Sequence, residues 1–490
     1  MTTDLILVLD AGTTSTRAIA FDQAGAIVAS AQRPLTQHYP QSGWVEHDAG
    51  EIWRLSRDCL IDVADQVGAP RVACIGITNQ RETIVFWDNA SGEPLAPAIV
   101  WQDRRTADAC AVLKAAGHEP MVQAATGLLL DPYFSATKIR WALDNWPQVA
   151  AAADAGQLRV GTVESWLIWK LSAGARHITD ATNASRTLLM RLDTCQWAPE
   201  LLALFGVPAA ILPEITDCAG PLATTALLGG NTPITGSAGD QQAAAIGQAC
   251  LVAGQLKATY GTGCFLLAHA GAVPPVSTHR LLSTVAWRLD GKPAYALEGA
   301  IFTAGAAVQW LRDGLGIITS SSETADLATS VPDSGGVVFV PALAGMGAPH
   351  WAPQARGTLT GLSAGTTRAH IVRATLEAMG QQTADLVDAL AADGVPAARL
   401  RVDGGMVAND WLCQDLADSL GVTVERPRVI ETTALGAAML AGVGAGLFAD
   451  LATASAMAAP DRSFVPAIDT DARANRRKHW ARAVRQTLAE

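Results

Sequence analysis

The chain is short of charge, and of positive charge most of all. Only 17% of its 490 residues are charged, and 35 Lys and Arg stand against 46 Asp and Glu, a formal net charge of −11. That balance excludes non-specific nucleic-acid binding, which needs a basic face, yet a few arginines and amides can still hold one small anion. Paired cysteines are lacking too. The eight present are scattered, without Cys-x-x-Cys or a Cys/His metal spacing, so they read as free, mostly buried thiols in a reducing, cytoplasmic setting. No basic segment followed by a long apolar run opens the chain, so no signal peptide is expected. A Gly-x-x-x-x-Gly-Lys-Ser/Thr string is absent, which disfavours a Walker-type nucleotide site. One stretch, Thr432 to Ala449, is free of charge and long enough to raise the question of a membrane. Its Ala, Gly and Thr are too weakly apolar, and Gly442, Gly444 and Gly446 would end a helix early, so it reads as a buried helix and no membrane insertion is expected.

What the chain has in quantity is apolar surface. At 490 residues and 49% hydrophobic content it exceeds one typical core, so two or more domains are expected. The first signal is Leu5-Ile6-Leu7-Val8-Leu9, a strand buried on both faces, ending on Asp10. Gly12 permits a tight turn, and Thr13, Thr14, Ser15 and Arg17 add hydroxyls, amides and a fixed positive charge. That set suits nucleotide phosphates and their magnesium, although a plain β-turn would use the same Asp and Gly. A turn at Asp22-Gln23-Ala24-Gly25 then makes the opening a meander.

Further along, Val72 to Ile77 and Ile84 to Trp87 read as buried strands joined by Thr78-Asn79-Gln80-Arg81-Glu82-Thr83. Six consecutive polar residues there are costly unless they line a cleft, and Arg81 beside Glu82 offers a donor fork and an acceptor to a polyhydroxylated ligand. A solvated ion pair is the bland alternative. Trp101-Gln102-Asp103-Arg104-Arg105 would carry an apolar wall and polar groups into the same cleft. Tyr133, ahead of a helix, would either present its hydroxyl or simply pack. Gly161 to Leu171 reads as a helix with Trp166 and Trp169 inward, while Thr179 to Ser185 reads as a polar loop without a derivable role. In Gly236-Ser237-Ala238-Gly239-Asp240-Gln241-Gln242 a strand enters a glycine turn and an Ala-rich helix, where Asp240 caps the helix, meets a ligand, or does both. Gly254 to Thr259, the Tyr260-Gly261-Thr262-Gly263-Cys264 turn and Phe265 to Ala268 repeat the opening meander. Two halves facing one phosphate from both sides follow from that repetition. Gly299 to Asp313 reads as a helix with Gly305 and Gln309 on one face, Val402 to Asn409 as a strand with a glycine turn, and Asp461 to Asp471 as a loop.

Asp-x-Gly-Thr-Thr, a second Gly-Thr-Gly corner and a late Asp-Gly-Gly-x-x-x-Asn, in that order, resemble the architecture shared by actin, sugar kinases and heat-shock chaperones. Within it the chain is similar to the FGGY carbohydrate kinases. Tyr133 to Trp141 matches one family signature, and Gly357 to Leu362 continuing through Glu377 matches the other. The resemblance, over roughly Leu5 to Gly446, is strongest to members that act on glycerol, through Asn79 to Thr83, Gly239 to Gln242 and Tyr260 to Phe265. It implies two duplicated ribonuclease-H-like α/β domains around a central cleft, 1–248 and 249–490, and ATP-dependent phosphorylation of glycerol with magnesium. Thr13, Thr14, Ser15 and Arg17 would hold phosphates, joined by Thr262, with Gly305, Gln309, Gly405 and Asn409 contacting the nucleotide. Asp10 would position the metal. Arg81, Glu82, Tyr133, Asp240 and Gln241 would bind the hydroxyls, backed by Trp101 and Phe265, and Asp240 would be the general base. Two departures are visible. Ala11 stands where such members commonly carry Gln, and Leu228 to Pro233 is shorter than the loop that binds fructose 1,6-bisphosphate in regulated relatives, so that control is expected to be absent or weak. Family analogy implies a homodimer or homotetramer. The alternatives are a kinase of the same family for another small polyol or ketose, and a non-catalytic nucleotide-binding protein, which would have no use for the base.

Overall fold

In the computed structural model, which describes residues 4–489, the aliphatic opening is strand β1 (Leu5–Ala11), buried along its whole length. It pairs antiparallel with β2 (Ser15–Phe21), and β2 pairs antiparallel with β3 (Ile27–Pro34). Helix α1 (Ala49–Val67) starts where the Asp48 carboxylate accepts the Gly50 N–H. It buries Ile52, Leu55, Leu60 and Val63 and returns the chain to β4 (Val72–Asn79), parallel to β1. Two later strands, β5 (Ala219–Thr225) and β6 (Thr232–Gly239), complete a sheet of order β5-β6-β4-β1-β2-β3, with β6 parallel to β4. Helix α2 (Asp240–Gly247) follows directly.

The second half repeats this scheme. Its strands are β7 (Gln255–Tyr260), β8 (Cys264–Gly271), β9 (Leu282–Leu289), β10 (Lys292–Ile301), β11 (Arg399–Asp403), β12 (Val424–Pro427) and β13 (Pro460–Phe464), in the order β9-β10-β8-β7-β11-β12-β13. The kernel β10-β8-β7-β11-β12 pairs antiparallel, antiparallel, parallel, parallel, as does β3-β2-β1-β4-β6. The duplication expected from the two meanders is therefore present strand for strand. Its helices include α3 (Gly305–Gln309), α4 (Asp410–Leu420) and α5 (Thr432–Gly444).

Helix α5 takes up Thr432–Gly444 of the uncharged stretch, and it is largely buried. It leaves the second sheet and packs against α2 and the face of β1, β4 and β6, sharing a core with Ile6, Val8 and Ile246. Small residues let backbone meet backbone there. A Cβ on Gly436 would lie 1.8 Å from the Ala243 carbonyl oxygen, and one on Gly247 would lie 1.9 Å from that of Thr432. Among the described residues no helix is long and apolar enough to cross a membrane.

Four local expectations need correction. Gly299 to Asp313 is not one helix: Gly299–Ile301 ends β10, and α3 is a single turn followed by a π-turn at Trp310–Gly314. Long-range pairing wins there, because the two-residue turn at Asp290 and Gly291 locks β10 onto β9. Gly161 and Thr162 close a strand, Leu158–Thr162, before the helix Val163–Leu171, whose Trp166 and Trp169 are buried as expected. Thr179 to Ser185 is a strand end and a one-turn helix, Ala181–Ala184, all buried. Asp461–Phe464 belongs to the edge strand β13, whose largely exposed polar face gives it a loop-like composition.

Candidate functional site

The six polar residues Thr78 to Thr83 are all buried. They bridge two sheets, since Ile84–Asp88 pairs in a separate four-stranded sheet with Leu158–Thr162 and Ala98–Ile99. Glu82 sits at φ +63°, an uncommon region for a residue with a side chain, which marks a position held by its surroundings. The solvated ion pair is thereby excluded. Arg81 instead gathers groups from distant segments: its Nε lies 3.3 Å from Asp240 Oδ1 and 3.9 Å from Glu82 Oε1, and its Nη2 donates to the Tyr133 hydroxyl at 3.3 Å. Gly239 is glycine because a Cβ there would lie 2.7 Å from Arg81 Cγ.

Asp240 is the first residue of α2 and its Oδ1 accepts the Gln241 N–H at 2.7 Å. Its side chain remains 30% exposed, so it meets both the cleft and Arg81. Burial pushes its carboxyl up, against the pull of Arg81 and Lys257 and with the help of the Asp10 charge. Gln241 Oε1 accepts from the buried Lys257 ammonium on β7, which also lies 3.5 Å from the Phe265 carbonyl oxygen. Trp101 packs edge-on to Tyr133 at 5.7 Å and donates its indole N–H to Thr13 Oγ1 at 2.9 Å. It thus joins the pocket around Arg81 to the turn that follows β1. Of the stretch that follows it, Arg105 does not enter the pocket. It pairs at 2.7 Å with Asp103 and Glu46 and lies 3.9 Å over the Trp44 ring.

At the first corner Gly12 N–H donates to the Ser15 carbonyl, and Ser15 Oγ accepts from Gln32. Thr14 is exposed. Arg17, expected to hold phosphate, is shared between Asp10 at 2.8 Å and Glu431 at 2.5 Å. Burial raises the Asp10 carboxyl, with Arg17 opposing. Among the described residues no cluster of three acids, His or Cys could hold a metal alone, so Asp10 fits only an ion completed by phosphate oxygens and water.

The second half holds a cavity of about 630 Å³. Thr262, Gly305, Gln309, Gly405 and Asn409 all line it, so the five residues proposed for the nucleotide face one space. A Cβ on Gly405 would meet no protein atom within 4 Å, and one on Gly261 none nearer than 4.0 Å. Both glycines therefore keep the cavity open where a flat ligand would lie. Arg312, Ser321 and Ser322 also line it and carried no signal in the sequence.

Sequence reasoning missed the layer behind the pocket. Asp180 accepts the Thr182 and Asn183 N–H groups and, at 2.9 Å, the Ser237 hydroxyl, while Thr182 Oγ1 accepts the Gly239 N–H at 2.9 Å. The polar run without an assigned role therefore steadies the strand end that presents Asp240. Glu164, pushed up to about 8 by burial and the charge of Asp180, accepts from Asn79. Lys138 donates to the carbonyls of Val100 and Tyr133, and burial pulls it down to about 7. Arg186 and Glu298 complete the layer, more than a hundred residues from their partners in sequence.

Comparison with known proteins adds to this geometry. The pattern of the FGGY family of carbohydrate kinases, N-terminal domain, matches residues 5–247, and that of its C-terminal domain matches residues 256–445. The chain is 56% identical to a glycerol kinase of Rhodospirillum centenum over 98% of both chains. It is 54% identical to a glycerol kinase of Rhodospirillum rubrum over 99% of both. The crystal structure of Plasmodium falciparum glycerol kinase with ADP superposes with a TM-score of 0.95 at 37% identity, over 99% of this chain and 98% of that one.

Proposed function

Since the chain belongs to the FGGY family of carbohydrate kinases, we propose that it transfers the γ-phosphoryl group of ATP to glycerol, giving sn-glycerol 3-phosphate. The observation that carries this reading is the Arg81 fork, which brings Glu82, Tyr133 and Asp240 together beside Trp101 and Gln241. Such a constellation offers donors and acceptors for three hydroxyls and one wall for a carbon chain.

In this reading Asp240 accepts the proton of the attacking hydroxyl as the new O–P bond forms and ADP departs. Its carboxyl, raised by burial yet still paired with Arg81, is a better proton acceptor than an exposed aspartate. Thr262, Gly305, Gln309, Gly405 and Asn409 hold the nucleotide in the cavity of the second half. Thr13, Thr14 and Ser15 meet its phosphates from the first half, and Arg17 joins them by exchanging Glu431 for an anionic oxygen. Magnesium, held by Asp10 with phosphate oxygens, would neutralise charge on the transferred group. Phe265 and Trp101 exclude water from the alcohol. We place the division between the units at 1–248 and 249–490, with a homodimer or homotetramer as the assembly.

The test is coupled ATP consumption on a panel of glycerol, erythritol, xylulose and gluconate. Glycerol is expected to give the highest kcat/KM. Faster turnover of another member would transfer the reading to a sister kinase of the same family, which the shared fold alone would accommodate.

A further inference from the structure

We propose that Glu298 and Arg186 are positioning residues of the alcohol pocket, fixing the Arg81 guanidinium and the Glu82 carboxylate and making their orientation depend on the second half of the molecule. This rests on the glycerol reading of the same pocket. Glu298 lies on β10, in the second half, while the other three charges belong to the first. Its Oε2 is 2.6 Å from Arg81 Nη1, and its Oε1 is 2.9 Å from Arg186 Nη2. Arg186 Nε in turn lies 2.6 Å from Glu82 Oε1. The four groups form a chain, Arg81–Glu298–Arg186–Glu82, in which no side chain is more than 2% exposed.

The geometry favours orientation over stability as the purpose of this chain. Burying four charges gains little stability, because desolvation cancels most of the attraction. A guanidinium, however, is a rigid plane. Pinning Arg81 at Nη1, which Gln242 Oε1 also meets at 3.3 Å, determines where Nε and Nη2 point, and those are the atoms that face Asp240 and Tyr133. Arg186 does the same for Glu82, and its own plane lies 5.3 Å over the Phe134 ring and 5.7 Å over that of Tyr133. Although buried, Glu298 is held at about 2 by Arg186 and Arg81, so it stays charged at working pH and acts as a fixed strut.

The test is steady-state kinetics of E298Q, which keeps the shape and removes the charge. Misorienting the fork is expected to raise KM for glycerol about tenfold or more while KM for ATP stays within about twofold. A role in folding alone would not split the two constants. Because E298Q leaves two buried arginines with one carboxylate fewer, R186M/E298Q is the second variant: it removes one charge of each sign and retains the Arg81–Glu82 pair. It is expected to show the same selective rise. A wild-type KM for glycerol in either folded variant, or an equal rise of both constants, overturns the proposal. Failure of the parent enzyme to prefer glycerol would instead overturn the substrate reading, and the parent control separates the two.

Discussion

Asp240 stands where the strand end opens α2, and in the proposed reaction it takes the proton of the attacking hydroxyl, so its chemistry offers the most direct test. Asp240→Asn keeps the size of the side chain and its place beside Arg81, so ATP and glycerol are expected to bind while phosphoryl transfer falls by about two orders of magnitude or more. Isothermal titration alongside turnover checks this, and near-normal turnover would reject the role. The pH profile follows from the direction of the carboxyl's shift. A base must be ionised, burial raises this carboxyl above its ordinary 3.8, and activity should therefore fall with acid at a higher pH than for an unshifted aspartate. At this scale the sequence was informative wherever a group sits beside its partner in the chain: Asp10 with Gly12, Arg81 with Glu82, Asp240 with Gln241. It was silent on Arg186 and Glu298, since nothing within a turn or strand of either one reveals a partner 104 to 217 residues away.

Among the elements, the contact between α2 and α5 is the least forgiving. A Cβ on Gly436 would lie 1.8 Å from the Ala243 carbonyl oxygen, and since that is backbone, no rotamer change can relieve it. Gly436→Ala is expected to cost about 1–3 kcal/mol in denaturant unfolding, as overpacking does. Because α2 begins with Asp240, turnover should fall with it. Gly230→Ala, which meets no atom within 4 Å, should remain within about 0.5 kcal/mol of the parent. The strands of both meanders could be read because β1 and β7 announce themselves by composition and end on glycine turns. Gly299 to Asp313 was misread because Gly305 and Gln309, four apart, share one helix face, and that pattern does not show that Gly299 belongs to a strand. Its place on β10 is set instead by β8 and β9 on either side and by Leu386, whose side chain would sit 2.7 Å from an added Cβ. Periodicity cannot register a neighbour that far along the chain.

For the whole molecule, the repeated kernel places one glycine corner in each half, and the pocket around Arg81 draws residues from both. Gln241 meets Lys257 across that divide, and Arg81 meets Glu298. A site of this kind is complete only when the halves are in register, so water alone should be a poor acceptor. ATP hydrolysis without glycerol is expected to run roughly a hundredfold or more below the kinase rate, measured as ADP release with and without the alcohol. Hydrolysis at a comparable rate would mean that the alcohol does not complete the site.

The glycine and alanine seam where α2 lies on α5 has a mechanical meaning. Backbone meets backbone there with almost no side chain between, and buried Leu435, Met439 and Ile246 flank the contact, so the two helices hold one close register. A shift of either helix would therefore be passed to the other, and through α2 to its first residue, Asp240.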